Sequence, residues 1–119
     1  MHYRGHIHKN VYQKFLKSRN HAKMDRAALS AAYLLSADSR LWHQAKHQID
    51  MGGLNFDELK IEGINPVQYT LLRAAQDLYE ETQHISLADI TDRDLVPEWM
   101  FRMLNDAITI RRFGVGGRA

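Results

Sequence analysis

Apolar residues recur along this chain with the period of helices rather than strands. The densest run is Asp25-Arg26-Ala27-Ala28-Leu29-Ser30-Ala31-Ala32-Tyr33-Leu34-Leu35, where only Ser30 and the Tyr33 hydroxyl are polar after Arg26. Alanine and leucine are strong helix formers, and a helix that is apolar all round has to be enclosed by other elements. Asp25 stands where it can cap the first amides and meet the positive end of the helix dipole. The run over Ala27–Leu35 therefore predicts the central helix of a helical domain.

The flanking segments read as helices around it. Asn10 is a good cap for a first helix reaching about Ser18, with Val11, Tyr12, Phe15 and Leu16 on one face and Lys9, Lys14 and Lys17 on the other. Asp38 or Ser39 caps a helix over Arg40 to Gln48 whose stripe is Leu41, Trp42, Ala45 and Ile49, and Met51-Gly52-Gly53 ends it. Asn55 opens a short turn to Leu59, which Gly63 closes. Asn65-Pro66 is the clearest helix start, a cap followed by proline at the first helical position, and predicts a helix to about Glu81. Its apolar side is Val67, Leu71, Leu72, Ala74, Ala75, Leu78 and Tyr79; Arg73, Gln76, Asp77 and Glu80 lie opposite. Ser86-Leu87-Ala88-Asp89 resembles a capping box and predicts a single turn.

A last helix starts near Pro97 and ends at Arg112 or Phe113. Its apolar residues, from Trp99 to Ile110, spread over about 200°, wider than the roughly 100° stripe of a simple surface helix. Such a helix is either buried between layers or meets another chain, so a homodimer through Trp99–Ile110 is one expectation. The expected fold is all-α: a compact single-domain bundle of five or six helices around the central apolar one. Residues 1–8 are expected to form a flexible arm, 9–113 the helical domain, and 114–119 a flexible Gly/Arg tail.

A length of 119 residues allows one core, and 45% hydrophobic with 25% charged residues is ordinary for a soluble globular domain. No apolar run approaches a membrane span, and the basic N-terminus lacks the hydrophobic stretch of a secretory signal. The absence of cysteine excludes disulfides and thiolate chemistry and fits a cytoplasmic protein. The net charge of +2 hides a segregation. Residues 1–24 hold six basic residues and no acid, residues 25–98 hold 6 basic and 13 acidic residues, and residues 99–119 hold 4 basic residues and one acid. Basic ends on an acidic middle either fold against it or leave an anion-binding surface.

Candidate chemistry is sparse. His43 and His47 are four apart, on one face of a helix as in many zinc-binding helices, but the segment His-Gln-Ala-Lys-His lacks a metalloprotease glutamate. A metal there needs a third ligand such as Asp50; His6-x-His8 with His2 is a weaker set. No phosphate loop, nucleophile elbow or calcium loop is present, and Gly114-x-Gly116 follows a helix and so is no dinucleotide loop. No enzyme activity and no cofactor are expected.

The segment Phe15…Asp25–Ser36, with its Ala-Leu-x-x-x-Tyr-Leu-Leu-Ser helix, Leu41-Trp42, His47-Gln48-Ile49-Asp50 and Leu71–Tyr79, resembles a family of short helical bacterial proteins of unknown function. The resemblance spans roughly Lys9 to Arg112. It implies an origin in phage or other mobile elements and a small binder directed at a host defence protein, such as an inhibitor of a CRISPR nuclease; it implies no catalytic residues. The expected function is thus a non-enzymatic protein-binding module that makes contact through the basic face of the first helix and exposed parts of the last. The alternative is a nucleic-acid binder using Lys9, Lys14, Lys17, Arg19, Lys23, Arg111 and Arg112, which requires both basic ends to lie on one side of the fold.

Overall fold

Helix α2 (Arg26–Leu35) starts where Asp25 accepts the Ala27 amide at 3.0 Å. In the computed structural model, which describes residues 1–18, 24–59 and 61–116, α2 is the element every long helix touches. From Leu29 to Leu35 its residues are all buried, with Ala31, Ala32, Tyr33, Leu34 and Leu35 fully so. The other helices are α1 (His6–Lys17), α3 (Ser39–Asp50), α4 (Pro66–Glu80), the single turn α5 (Leu87–Ile90) and α6 (Glu98–Phe113). A 3-10 turn covers Phe56–Glu58, and there is no strand among the described residues. The fold is all-α, as the apolar periodicity predicts.

Most starts and stops follow the caps read from the sequence. Asp38 accepts the amides of Arg40 and Leu41 at the head of α3. Asn55 caps the 3-10 turn. Asn65 and Gln68 form a reciprocal capping box on α4, and Ser86 and Asp89 form another on α5. Gln68 does more than cap: its Nε2 donates to Asp38 Oδ2 at 2.8 Å, so one side chain joins the heads of α3 and α4. Gln76, expected on the polar side of α4, is buried and bonded to Arg73.

α1 departs furthest from expectation. It begins at His6, four residues before Asn10, and its N-cap is Gly5, which has no side chain to signal a start. The expected arm over residues 1–8 therefore carries a helical turn and several ties to the core. The physical reason is His8, which a hydropathy pattern reads as polar. It is buried, its Nδ1 accepts the Arg4 amide at 3.0 Å and its Nε2–H donates to the Tyr33 carbonyl at 2.8 Å. One helical turn on, the Tyr12 hydroxyl donates to Leu29 O at 2.8 Å. A step of four forward on α1 matches a step of four backward on α2, so the two helices run antiparallel.

A chain of rings extends this contact into the core: Tyr33 meets Tyr12 edge-on at 5.3 Å, Tyr12 stacks on Phe15 at 6.2 Å, and Phe15 meets Trp42 of α3 edge-on at 5.3 Å. The N-terminal segment closes over the same side. The Tyr33 hydroxyl donates to His2 O, the His2 amide donates to Asp106 of α6 at 2.6 Å, and the Arg4 guanidinium lies 4.2 Å from the Trp99 ring. Burial and this company raise the Tyr33 and Tyr12 hydroxyls well above the ordinary tyrosine range.

The loop after α4 is organised by Asp77, which accepts from Thr82 Oγ1, His84 N, His84 Nδ1 and Ile85 N at 2.6–2.9 Å. Burial pushes its carboxyl up, but these donors together hold it below the usual value. Glu81 makes the turn at φ 61°, the one non-glycine left-handed residue among those described.

Two predictions follow from this packing. Ala32→Leu keeps helix propensity nearly unchanged but has no room, so thermal denaturation should show a loss of about 1–3 kcal/mol; Ala28→Leu, at a half-buried site, should be tolerated. Burial, with Arg4 and His2 nearby, lowers the His8 pKa from 6.5 to about 4 despite the bond to Tyr33. The unfolded chain then takes up a proton that the folded chain refuses. The His8 contribution to stability is complete above pH 6.5, falls between 6.5 and about 4, and levels below 4, by on the order of 3 kcal/mol in all. Urea titrations across that range should show this slope, and His8→Gln should flatten it.

Candidate functional site

The outer face of α1 gathers the basic residues of the first helix. α1 contains no acid, and its inward residues are His8, Tyr12 and Phe15. That register turns Lys9, Lys14 and Lys17 outward, and all three are exposed, together with His6, Asn10 and Gln13. No ion pair joins these lysines to an acid among the described residues. Lys14 and Lys17 also lie in the last turn of α1, where their charge complements the helix dipole. The result is a stiff positive strip whose backbone is anchored by His8 and Tyr12. Arg19 and Lys23, the other basic candidates of this region, lie outside the described residues.

The C-terminal basic residues divide. Arg111 does not stand free: half-buried, it donates from Nε to Leu78 O at 3.0 Å and from Nη2 to Glu81 at 3.2 Å, closing the end of α4. It is a structural contact, because an end-of-helix carbonyl needs a donor. Arg112 is exposed, and its carbonyl accepts from Arg26 Nη1 at 2.8 Å. Since α1 runs antiparallel to α2, the end of α1 that carries Lys17 and the start of α2 that carries Arg26 share one end of the bundle. Arg112 is tied to that end through Arg26. Lys17, Arg26 and Arg112 therefore lie toward the same end of the bundle.

The histidine candidates part company in the same way. His8 spends both ring nitrogens on Arg4 and Tyr33 and has no lone pair left for a metal, so the set of His2, His6 and His8 is not a site. His43 and His47 are both exposed on α3, beside an open groove of about 930 Å³ between α3 and the first turn of α1. Asp50, the third ligand that pair needs, accepts from Lys46 Nζ at 2.9 Å. No group of three or more metal-ligating side chains forms among the described residues. Ile7, Val11 and Trp42 supply apolar lining to the groove, and Arg4 and Lys46 supply charge.

On α6 the wide apolar spread resolves into core and surface. Met100, Met103, Leu104, Ala107 and Ile110 are buried, and Trp99 is half-buried under Arg4. Only Phe101 and Ile108 remain exposed, at 46% and 50%. Burial in the core accounts for most of what the sequence left undecided. Among the described residues no helix is long and apolar enough to cross a membrane.

No family model, curated protein or solved structure matches the chain.

The division between the two arginines is testable. Arg111→Ala should lower stability by about 1 kcal/mol, through an end-of-helix carbonyl left without its donor, whereas Arg112→Ala should change it by less than about 0.5 kcal/mol. Chemical denaturation of the two variants side by side makes the comparison.

Proposed function

We propose that this chain is a non-enzymatic protein-binding module that uses the outer face of α1 to engage an acidic surface on its partner. The observation that carries the reading is the strip of Lys9, Lys14 and Lys17, exposed on a helix without acids and mounted on a well-anchored scaffold. Such a strip speeds encounter with an acidic surface, and the bulk of the bundle behind it then blocks that surface. The strongly perturbed groups support a binding rather than a catalytic role, since His8, Tyr12 and Tyr33 are all engaged in holding α1 and the N-terminal segment on α2. The narrower form of the proposal is an inhibitor of a host defence protein, such as a CRISPR nuclease, encoded by a phage or mobile element and acting in the cytoplasm. That form draws on the sequence resemblance alone.

A second reading, nucleic-acid binding, is favoured by one specific observation: Lys17, Arg26 and Arg112 share an end of the bundle. The two readings separate in one experiment. The tagged protein is used to capture partners from host lysate with and without nuclease, alongside a variant with Lys9, Lys14 and Lys17 all changed to Glu. Protein binding predicts a partner retained after nuclease and weakened about tenfold or more by the charge reversal. Loss of all partners on nuclease treatment overturns it and promotes the second reading, in which affinity falls with salt at a log–log slope of about −0.9 per phosphate contacted.

A further inference from the structure

The exposed face of α6 carries an ordered pattern. Glu98, Phe101, Asn105, Ile108 and Arg112 are spaced three and four apart, and all five are exposed. At roughly 100° per residue they fall within about 80° of one another, on the side of α6 away from Met103 and Ala107. The other large apolar residues with high exposure, such as Ile7, Met51 and Leu87, stand singly on separate elements, which is ordinary for a protein surface. Phe101 and Ile108 are two turns apart on one stripe, with an acid beyond one end and a base beyond the other.

That order is self-complementary. A second α6 laid antiparallel across the first, with the two-fold axis at Asn105, brings Phe101 of each copy beside Ile108 of the other, four and three residues from the axis. It sets Glu98 of each copy against Arg112 of the other, seven residues from the axis on either side. The two Asn105 side chains meet at the centre, where a polar pair fixes register. Their amides are adaptable partners, since within one chain Asn105 Nδ2 donates only to Phe101 O at 2.9 Å. Glu98 reaches Arg102 at 3.0 Å in the monomer, an exposed pair that leaves the carboxylate free to accept a second guanidinium. A parallel arrangement would put acid on acid and base on base.

We propose that the Glu98–Arg112 face of α6 is a homodimerisation surface that takes a second copy of this chain in antiparallel register. The occupant follows from the charge and apolar self-complementarity of the stripe in antiparallel register. The contact is confined to one stripe along two helices, each about 24 Å long, so a weak, concentration-dependent dimer is expected.

Sedimentation equilibrium of the intact protein from about 10 μM to about 1 mM tests this. The expected result is a concentration-dependent monomer–dimer equilibrium. Phe101→Ser and Ile108→Ser should each abolish it while leaving the circular dichroism spectrum helical and lowering the melting temperature only modestly, because both side chains are about half exposed. Glu98→Arg should weaken it about tenfold, since the two-fold axis makes the change count twice, and Glu98→Arg combined with Arg112→Glu should restore it. A monomer throughout the range, or a dimer indifferent to Phe101→Ser and to the charge swap, overturns the proposal.

Discussion

A ten-residue helix cannot hold itself together in water, and α2 is held by being surrounded. Its alanines let neighbouring backbones approach, and its leucines and Tyr33 fill the space between them. Each fully buried leucine contributes on the order of 1.5–3 kcal/mol only if other helices cover it. α3, α4 and α6 supply that cover directly, and α1 completes it through His8 and Tyr12. The order of the bundle follows from that requirement, and the surfaces discussed above are the faces left over once it is met.

Enclosure by apolar packing alone would leave the outer helices free to slide. Polar ties set their positions. His8 and Tyr12 bond carbonyls of α2 one turn apart, which fixes both the direction and the register of α1. Gln68 bridges the capping box of α4 to Asp38 at the head of α3. Arg111 joins α6 to the end of α4, and Arg26 joins α2 to the end of α6. All but the exposed Arg26 are buried or half-buried groups whose loss leaves a partner unsatisfied, so they act as locators more than as sources of net stability. The lysines of α1 point outward because His8 points inward.

Function on such a scaffold belongs to the faces that the core does not claim. The strip on α1 is positive and polar, suited to an acidic partner. The stripe on α6 is apolar at its middle and oppositely charged at its ends, suited to its own copy.

The sequence by itself determined the all-α class, the central place of Ala27–Leu35, and most helix ends, because those depend on local caps and on apolar spacing within one segment. Asp25, Asp38, Asn55, Asn65 and Ser86 all cap where the sequence places them. It also placed Lys9, Lys14 and Lys17 on one face, since helical period alone does that. Only the tertiary structure decided the rest. The start of α1 at His6 and the burial of His8 depend on a carbonyl of α2 that is 25 residues away. The division of Arg111 from Arg112 depends on Leu78 and Glu81 of another helix. Which apolar residues of α6 face the core and which face solvent depends on where α2 and α4 lie against it. Each of these is settled by a long-range partner, and local sequence pattern carries no record of which partner will be near.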